Sequence, residues 1–350
     1  MTPDQLIRPE VLAMHAYAVA DSSGMVKLDA MENPYLLPPA LRRELAERLA
    51  SVELNRYPEP NSAALRELIV RKMKVPAGMD VLLGNGSDDL IQILALALAR
   101  PATALMYPSP TFVMYSMNAI FSGMKAIAVP LREDFTLDAD AFIARMRAEK
   151  PALVFLAYPN NPTGVLYPEA DVVRIIEAAP GLVVLDEAYH VFAGKTFMDK
   201  LPKYPNLVVL RTVSKLGLAG IRLGYLAGRP EWLRELNKVR QVYNVNVLTE
   251  AAARFVLERL DVLEAQAAEI RAERARLGAA LRAFGGVTVF PSEANFFLVR
   301  VPDALRTYEA LRLQGVLVRN LHPGLANCLR VTVGTPDENR ILINALKEAL

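Results

Sequence analysis

The sequence predicts an α/β protein, with a large domain of mainly parallel sheet between layers of helices and a smaller α+β domain. Short apolar runs without polar alternation recur in the first two thirds of the chain, which is typical of strands buried on both faces. Helical patterns separate these runs, as in βαβ units. From about residue 230 the pattern changes, and the 350 residues exceed one standard domain of about 100–200 residues.

The predicted strands of the large domain are apolar runs of five to seven residues. They are TALMY (103–107), KAIAVPL (125–131), ALVFLAY (152–158), LVVLD (182–186), NLVVLRT (206–212) and LGYLAG (223–228). Helical patterns are found at 63–74, 88–99, 111–122, 139–150 and 169–179. Because strands alternate with helices along the chain, the sheet is expected to be mainly parallel.

The last third of the chain has a different composition. Residues 230–243 place a proline at a first helical position, and residues 249–284 are rich in Ala, Leu, Glu and Arg, which favours long helices. The short strand-like runs VTVF, FFLVRV, VLVRN and LRVTVG follow, and then a closing helix at 337–350. The first thirty residues have no strong helix or sheet pattern.

Composition excludes several classes of protein. The 40 basic and 38 acidic residues leave a net charge of +2 without a basic run, so nucleic acid is not the expected main partner. Cys328 is the only cysteine, so a disulfide or a Cys-based zinc site within the chain is excluded. The three histidines are too few and too scattered to form a metal-binding cluster. The N-terminus lacks a signal-peptide pattern, and the most apolar stretch, 90–99, is too short for a membrane span. We therefore expect a cytoplasmic protein without membrane contact.

A glycine-rich turn, LLGNGSDDLIQ at 82–92, has the outline of a strand, a tight turn and a helix. The dinucleotide fingerprint needs a third glycine where Asp89 stands, and the GxxxxGK[ST] phosphate loop is absent. Gly84 and Gly86 still permit a turn that directs the first N–H groups of the helix at an anion. The alternative is a helix that Ser87 or Asp88 simply caps, and this segment alone does not decide between the two.

Three later segments place polar side chains at the carboxyl ends of predicted strands, the edge at which open α/β sheets bind ligands. YPNNPTG (158–164) follows one strand, and VVLDEAYHVF (183–192) delivers Asp186 at the end of another. RTVSKLGLAGIRLGY (211–225) places Lys215 after a third strand, with Arg222 farther along. Each alone is also compatible with a plain Asn-Pro turn or a surface charge.

Together these groups match the chemistry that pyridoxal 5′-phosphate requires. A lysine amine can form a Schiff base, and a carboxylate can keep the pyridine nitrogen protonated so that the ring accepts electrons. Hydrogen-bond donors can hold the phenolic oxygen, while a helix N-terminus and an arginine can hold the phosphate. The constellation therefore predicts pyridoxal 5′-phosphate as the cofactor.

The chain resembles the fold-type I pyridoxal-phosphate-dependent aminotransferases, and within them the histidinol-phosphate aminotransferase family. The resemblance covers nearly the whole chain and implies a cofactor domain at 31–240 and a small domain built from 1–30 and 241–350. Eight motifs occur in the family's order: DAMENPY (29–35), NRYPEP (55–60), GNGSDDLI (84–91), PSPTFVMY (108–115), YPNNPTG, DEAYHVF, RTVSKLGLAGIRLGY and LRVTVGT (329–335).

The resemblance implies a role for each matched residue in binding the cofactor. Lys215 is similar to the Schiff-base lysine and Asp186 to the partner of the pyridine nitrogen. Asn161 and Tyr189 are similar to the residues that hold the phenolic oxygen, and Tyr189 is grouped with Lys215 and Asp186 as catalytic. Phosphate contacts are implied for Gly86, Ser87, Ser214 and Arg222. Phe112 is implied to stack on the cofactor ring.

The resemblance also implies a subunit partner and a substrate pocket. Tyr57 in NRYPEP is similar to a tyrosine that reaches the phosphate of the neighbouring subunit, which implies a homodimer. Arg330 resembles the arginine that binds the acid group of the substrate, and Arg319 resembles a second arginine of that pocket. Further substrate contacts are implied for Tyr17, Asn33 and Tyr243.

The implied reaction is transfer of an amino group between L-histidinol phosphate and 2-oxoglutarate in histidine biosynthesis. An aromatic amino-acid aminotransferase and a threonine-phosphate decarboxylase of the same fold remain open, because the cofactor motifs do not separate these activities. A regulator that senses the cofactor would carry a DNA-binding module ahead of this domain, and no helix-turn-helix pattern is present.

Three departures from the family pattern stand near the predicted site. The loop after Lys215 is one residue shorter than the common form, and Met31 stands where many members have asparagine. His190 follows Tyr189 in place of a common apolar residue, and we interpret it as a hydrogen-bonded strand-end histidine rather than a catalytic one. None of the three removes a group that the chemistry needs.

Overall fold

The computed structural model describes residues 1–16 and 19–350, and its strands form two sheets. In chain order the strands are β1 (Val26–Leu28), β2 (Asp80–Asn85), β3 (Ala104–Ser109), β4 (Lys125–Pro130), β5 (Leu153–Ala157), β6 (Leu182–Asp186), β7 (Leu207–Thr212), β8 (Leu223–Gly228), β9 (Thr288–Val289), β10 (Phe296–Arg300), β11 (Val316–Asn320) and β12 (Cys328–Thr332).

The helices of the described residues flank both sheets. They are α1 (Pro3–Leu6), α2 (Pro9–Leu12), α3 (Pro39–Ala50), α4 (Ala63–Lys72), α5 (Ser87–Leu98), α6 (Met114–Ser122), α7 (Ala139–Glu149), α8 (Glu169–Ala178), α9 (His190–Ala193), α10 (Pro230–Asn237), α11 (Val247–Leu257), α12 (Leu260–Arg282), α13 (Ala304–Leu313) and α14 (Pro336–Ala349). None of these helices is both long and apolar enough to cross a membrane.

The larger sheet has the strand order β2-β8-β7-β6-β5-β3-β4, and β8 alone runs antiparallel to its neighbours. Alternate residues of its central strands enter cores on opposite faces. In β5, for example, Val154 and Leu156 pack with α4, α7 and α8, whereas Leu153 and Phe155 pack with α5, α6 and α10. The predicted mainly parallel sheet between helical layers is confirmed, and its central strands are apolar because both faces are buried.

The smaller sheet has the strand order β1-β11-β12-β10-β9, with α12, α13 and α14 packed against it. β1 pairs in parallel with β11, so a segment near the N-terminus completes a sheet of the C-terminal region. The first thirty residues, which show no strong pattern in the sequence, thus contain this strand as well as the short helices α1 and α2. A three-residue strand is too short to produce a periodic pattern, and its pairing depends on a partner far along the chain. The proposed division at 31–240 stays a prediction.

Helix boundaries follow local chemistry. α14 starts with a capping box, in which the Thr335 hydroxyl accepts from the N–H of Glu338 and the Glu338 side chain accepts from the N–H of Thr335. α4 ends two residues before the expected position, because the chain reaches the left-handed region at Lys74, where φ is 54°. α6 starts three residues later than expected, and the Thr111 hydroxyl is instead bonded to the Asn160 amide in the loop.

Candidate active site

The carboxyl ends of β5, β6 and β7 meet at one edge of the large sheet and border a cavity. Because these strands are parallel neighbours, their C-terminal loops project to the same side. Eight of the residues predicted from the sequence line this cavity: Ser87, Phe112, Asn161, Asp186, Tyr189, Ser214, Lys215 and Arg222. We call it the cofactor cavity. Among the described residues, no group of His, Cys, Asp or Glu side chains is arranged to hold a metal ion.

Lys215 lies in a single π-helical turn, Ser214–Leu218, directly after β7. Its Nζ donates a hydrogen bond to the backbone carbonyl of Ala30, 2.9 Å away. Burial and then the positive charge of Arg330 lower the pKa of the Lys215 amine, which is about 8. A substantial neutral fraction near neutral pH makes this amine available as a nucleophile and as a proton acceptor.

Asp186 is buried at the end of β6, and each of its carboxylate oxygens accepts a hydrogen bond. Oδ2 accepts from the Tyr115 hydroxyl at 2.7 Å, and Oδ1 accepts from the N–H of Ala188 at 3.1 Å. Burial raises the pKa of Asp186 to about 6, against the lowering effect of these hydrogen bonds. A cationic N–H group in the cavity would therefore strongly stabilise the charged form of this buried carboxylate.

Tyr115 had no role in the sequence prediction, although it closes the motif PSPTFVMY. It is fully buried on α6, stacked on Phe155 with ring centroids 4.5 Å apart and met edge-on by Phe112 at 5.7 Å. Burial, followed by the charge of Asp186, raises the pKa of Tyr115 well above its ordinary value, so the phenol remains a donor. The sequence did contain a signal for Tyr115: in the predicted helix at 111–122 it follows Phe112 by three residues, which places both rings on one helix face.

The start of α5 also borders the cavity, because Ser87 and Asp88 of its first turn line it. Gly86 is the N-cap residue, with φ of 84°, and no side chain caps this helix. The alternative of a helix capped by Ser87 or Asp88 was therefore wrong. A Cβ at position 86 would lie 2.5 Å from Nη2 of Arg222, so the absence of a side chain lets the guanidinium reach the helix N-terminus. Arg222 also pairs with Asp88 at 3.1 Å.

Asn161 connects the cofactor cavity to Arg330. Nη1 of Arg330 donates to Oδ1 of Asn161 at 2.6 Å, and Nη2 donates to the carbonyl of Asp29 at 2.7 Å. Since the amide oxygen of Asn161 is engaged, its N–H groups are the donors that it can offer to a ligand. The Tyr189 hydroxyl, the second predicted contact of the phenolic oxygen, donates to Sδ of Met31 at 3.5 Å.

A second cavity adjoins the first and shares three residues with it: Met31, Phe112 and Asn161. We call it the substrate cavity, because both predicted substrate arginines, Arg319 and Arg330, line it. Met14, His15 and Ala16 line it from the N-terminal segment. The structure thus brings the predicted anion-binding arginines next to the cavity that contains Lys215.

Two other predicted residues lie away from both cavities. The side chain of Tyr57 is 81% exposed, and its ring stacks on that of Tyr243 with centroids 4.6 Å apart. Neither tyrosine is among the residues that line the cofactor or the substrate cavity. Within one subunit the structure therefore does not bring them to the site.

The remaining predictions near the site have mixed outcomes. Asn33 lies behind the loop that follows Lys215, where its Nδ2 donates to the carbonyl of Leu216 at 3.0 Å. His190 begins α9 rather than ending a strand, and its Nδ1 lies 3.0 Å from the carbonyl oxygen of Glu187. Burial, with the charge of Arg211, lowers the pKa of His190 well below its usual value, which keeps the ring neutral. Tyr17 lies outside the described residues.

A buried ion pair behind the site had no place in the sequence prediction. Glu187, next to Asp186, accepts from Nη2 of Arg211 at 2.8 Å and from the N–H of Phe197 at 2.5 Å. The pair joins the carboxyl end of β6 to β7, the strands that precede Asp186 and Lys215. Glu187 and Arg211 each lie within a motif, DEAYHVF and RTVSK, so the sequence marked both residues as near the site. That they pair with each other depends on the pairing of β6 with β7.

The fold and this site define a class of enzyme. Residues 23–346 match the family model for aminotransferase class I and II, and the chain belongs to that family. The chain is 59% identical to histidinol-phosphate aminotransferase 2 of Cupriavidus pinatubonensis, with 99% of this chain and 97% of the relative covered. It is 55% identical to the histidinol-phosphate aminotransferase of Chromobacterium violaceum, with 99% and 98% covered.

Solved structures agree with this assignment. The histidinol-phosphate aminotransferase of Sinorhizobium meliloti, solved in complex with pyridoxal 5′-phosphate, superimposes with a TM-score of 0.86 at 25% identity. The comparison covers 98% of this chain and 97% of that structure. The predicted fold-type I aminotransferase architecture is confirmed.

Proposed function

We propose that this chain is a pyridoxal-5′-phosphate-dependent aminotransferase that exchanges an amino group between L-histidinol phosphate and 2-oxoglutarate in histidine biosynthesis. The observation that carries this choice of substrate is the pair Arg319 and Arg330, which lines the cavity next to Lys215. Relatives named histidinol-phosphate aminotransferase, 55–59% identical over nearly the whole chain, support the proposal.

The residues of the cofactor cavity fit pyridoxal 5′-phosphate. The N-terminus of α5, with Gly86 as its N-cap and Ser87 as its first residue, would hold the phosphate together with Ser214 and Arg222. Asp186 would pair with the pyridine nitrogen, and a protonated nitrogen would supply the cationic partner that its buried carboxylate lacks in the protein alone. Phe112 would stack on the ring, and Asn161 and Tyr189 would donate hydrogen bonds to its phenolic oxygen. The amine of Lys215 would hold the cofactor covalently.

When bound, this cofactor supplies an electron sink for the pair left on the substrate carbon after loss of its proton. Nζ of Lys215 would take that proton from the amine-bearing carbon of the donor, acting as a general base. Its pKa of about 8 suits this role near neutral pH, and the carbonyl of Ala30 holds Nζ in the cavity. Asp186 would hold the pyridine proton, with Tyr115 and Ala188 fixing both oxygens of its carboxylate.

The two arginines would bind the anionic end of each substrate. A phosphate near neutral pH carries about −1.5 to −2 charges and three acceptor oxygens, so it can use both Arg319 and Arg330. The α-carboxylate of glutamate carries one charge and can be held by Arg330 alone. We therefore assign Arg330 to both substrates and Arg319 mainly to the phosphate donor.

We further propose a homodimer in the cytoplasm, with each active site completed by Tyr57 of the other subunit. The ring of this tyrosine stacks on that of Tyr243, and most of its side chain is exposed, so it is accessible to a second subunit. A two-fold dimer has an isologous interface, in which each copy can complete the other.

A donor panel on purified holoenzyme tests the proposed reaction. The absorbance change of the cofactor is followed with L-histidinol phosphate, phenylalanine, tyrosine and threonine phosphate, and Lys215→Ala serves as the inactive control. We expect kcat/KM for histidinol phosphate to exceed that of each other donor by at least about tenfold. A preference for phenylalanine would indicate an aromatic aminotransferase, and carbon dioxide release from threonine phosphate would indicate a decarboxylase; either result would overturn the proposal.

A further inference from the structure

Two consecutive backbone carbonyls, directly after β1, each accept a hydrogen bond from a side chain of the site. The carbonyl of Asp29 accepts from Nη2 of Arg330 at 2.7 Å, and the carbonyl of Ala30 accepts from Nζ of Lys215 at 2.9 Å. These partners are the proposed substrate arginine and the proposed Schiff-base lysine. The path of this short segment therefore determines where both side chains find an acceptor.

The next residue, Met31, is held through its backbone on both sides. Its N–H donates to Oγ1 of Thr332 at 3.0 Å, and its carbonyl accepts from Nδ2 of Asn295 at 3.0 Å. Thr332 ends β12 and Asn295 directly precedes β10, and these two strands are antiparallel neighbours. The φ of Met31, 54°, lies in the left-handed region, so these hydrogen bonds hold a conformation that such a residue rarely adopts. We call Thr332 and Asn295 the clamp residues.

The side chain of Asn295 makes one hydrogen bond among the described residues, the bond to Met31. It is fully buried, and its Oδ1 has no partner in the part of the chain that the structure describes. Reversing the amide would place this oxygen against the Met31 carbonyl, so the donated bond fixes the orientation. A buried unpaired oxygen is unfavourable, which makes this amide a poor choice for packing alone. Its one polar contact points to a role in holding the Met31 backbone.

We propose that Thr332 and Asn295 are positioning residues that act through the backbone of Met31. By fixing this segment, they place the Ala30 carbonyl where it holds Nζ of Lys215 ready for proton transfer. This inference rests on the proposed function, in which that amine takes the proton from the amine-bearing carbon of the donor. The stem of a lysine is flexible, and a neutral amine that donates to a fixed carbonyl keeps its lone pair in a defined direction.

The titration of Lys215 in the cofactor-free protein reports on this contact. A carbonyl that accepts from an ammonium group stabilises the charged form, so loss of the contact should lower the pKa of the amine below about 8. A general loosening of the site would instead admit water and raise this pKa toward its ordinary value of 10.5. The charged groups that influence this amine or line its cavity stay in place in every variant below: Glu32, Asp88, Asp186, Arg222 and Arg330.

Two variants each remove one clamp hydrogen bond with little change in side-chain volume. Thr332→Val removes the acceptor of the Met31 N–H, and Asn295→Leu removes the donor to the Met31 carbonyl. Thr332→Ser keeps the hydroxyl and is the conservative control. Thr307→Val is the matched control, because Thr307 is 2% exposed, as Thr332 is 3% exposed, but lies on α13 outside both cavities.

The first measurement is the pH dependence of labelling by an amine-reactive reagent in the cofactor-free protein, with peptide mapping to follow Lys215 alone. We expect the midpoint to fall by about 0.5–1 pH unit in Thr332→Val and in Asn295→Leu, the size expected for the loss of one hydrogen bond. Thr332→Ser and Thr307→Val should keep the midpoint near pH 8.

The second measurement is the single-turnover half-reaction of the loaded enzyme with L-glutamate, with hydrogen or deuterium on the amine-bearing carbon. Both clamp variants should lower the limiting rate by about tenfold or more, because a small misplacement of a catalytic group is costly. The deuterium effect should show that proton transfer limits this rate. The Kd for glutamate should change much less, because Arg330 keeps its hydrogen bond to Asn161.

A labelling midpoint that is unchanged or rises in the clamp variants would overturn the inference, as would an unchanged limiting rate or an equal effect in Thr307→Val. If one clamp variant fails to fold, the other decides, because each removes a separate hydrogen bond. These outcomes leave the proposed function intact, since the donor panel uses the wild-type enzyme. A wild-type enzyme that uses glutamate but not histidinol phosphate would overturn the proposed donor and support the clamp's independence of it; inactivity with every donor would overturn both proposals.

Discussion

Arg319 and Arg330 are direct cross-strand partners in the antiparallel pair β11–β12, and both line the substrate cavity. Side chains directly opposite each other lie on the same face of a sheet, where like charges repel. An arrangement of this kind is unfavourable for an empty protein and favourable for one that binds a dianion. The relationship indicates a binding site for a doubly charged group more strongly than either arginine does alone.

Removal of the two arginines should affect the two donors differently. Arg319→Ala should lower kcat/KM for histidinol phosphate by about ten- to a hundredfold, because one charge-assisted hydrogen bond to the phosphate is lost. Its effect on glutamate should be much smaller, while Arg330→Ala should impair both donors. Half-reaction kinetics with each donor measures the two separately. An equal loss for both donors in Arg319→Ala would refute this division of roles.

Asp186→Asn should stabilise the cofactor-free protein while it disables the enzyme. The pKa of Asp186 in the folded protein, about 6, lies above the ordinary value of 3.8, so the folded state binds the proton more tightly than the unfolded state. The unfolding free energy of the wild type therefore falls as pH rises from about 4 to 6 and stays lower above that range. The variant lacks this decrease and should be more stable by up to about 3 kcal/mol at pH 7.

Urea unfolding of both cofactor-free proteins between pH 5 and pH 8 measures this difference. It should grow up to about pH 7 and then remain constant. In the loaded enzyme the same variant should lose several orders of magnitude in turnover, because an amide cannot stabilise a pyridinium. Near-normal turnover would show that Asp186 is not the partner of the pyridine nitrogen.

Tyr115→Phe should weaken cofactor binding by way of Asp186. The lost hydrogen bond, 2.7 Å long, lowers the pKa of the carboxyl, so the variant's Asp186 should titrate above about 6. A smaller ionised fraction and a less fixed carboxylate should raise the Kd for pyridoxal 5′-phosphate by about tenfold at pH 6–7. Fluorescence titration at several pH values measures this, with Tyr107→Phe as the control. A pH-independent change of equal size in both variants would argue for a packing effect.

Lys215 should carry the cofactor, and its reactivity should depend on Arg330. Borohydride reduction of the loaded enzyme followed by peptide mapping should locate the cofactor on Lys215. In the cofactor-free protein, labelling of the Lys215 amine should be half-maximal near pH 8. Burial and then the charge of Arg330 lower this pKa, so Arg330→Gln should move the midpoint to higher pH. A label on Lys195 or Lys200 would contradict the assignment, and an unchanged midpoint would contradict the influence of Arg330.

Mixed dimers test the role of Tyr57 across the subunit interface. Lys215→Ala and Tyr57→Arg subunits should each be inactive as homodimers, whereas a heterodimer should regain one working site. Activity after mixing is measured alongside native mass spectrometry, which demonstrates that subunits have exchanged. Exchange without recovery would contradict the proposal that Tyr57 completes the site of the other subunit.

Much of the fold was predictable because its signals are local. The buried strands β5, β6 and β7 are continuous apolar runs, and the positions of Asp186 and Lys215 at strand ends follow directly from where those runs stop. The parallel edge that brings these ends together follows from βαβ alternation. Eight of the fifteen residues that line the cofactor cavity were predicted from motifs in the sequence.

What only the tertiary structure decided concerns pairs of residues far apart in the chain. The hydrogen bonds from Tyr115 to Asp186 and from Arg330 to Asn161, and the position of Met31 between two cavities, have no local signal. Each depends on how strands pair and how the N-terminal segment crosses the small sheet. The sequence by itself determined the chemical groups of this enzyme, because side-chain identity and short-range periodicity are local. Their distances and shifted pKa values were decided by long-range packing, because burial and neighbouring charges exist only in the folded chain.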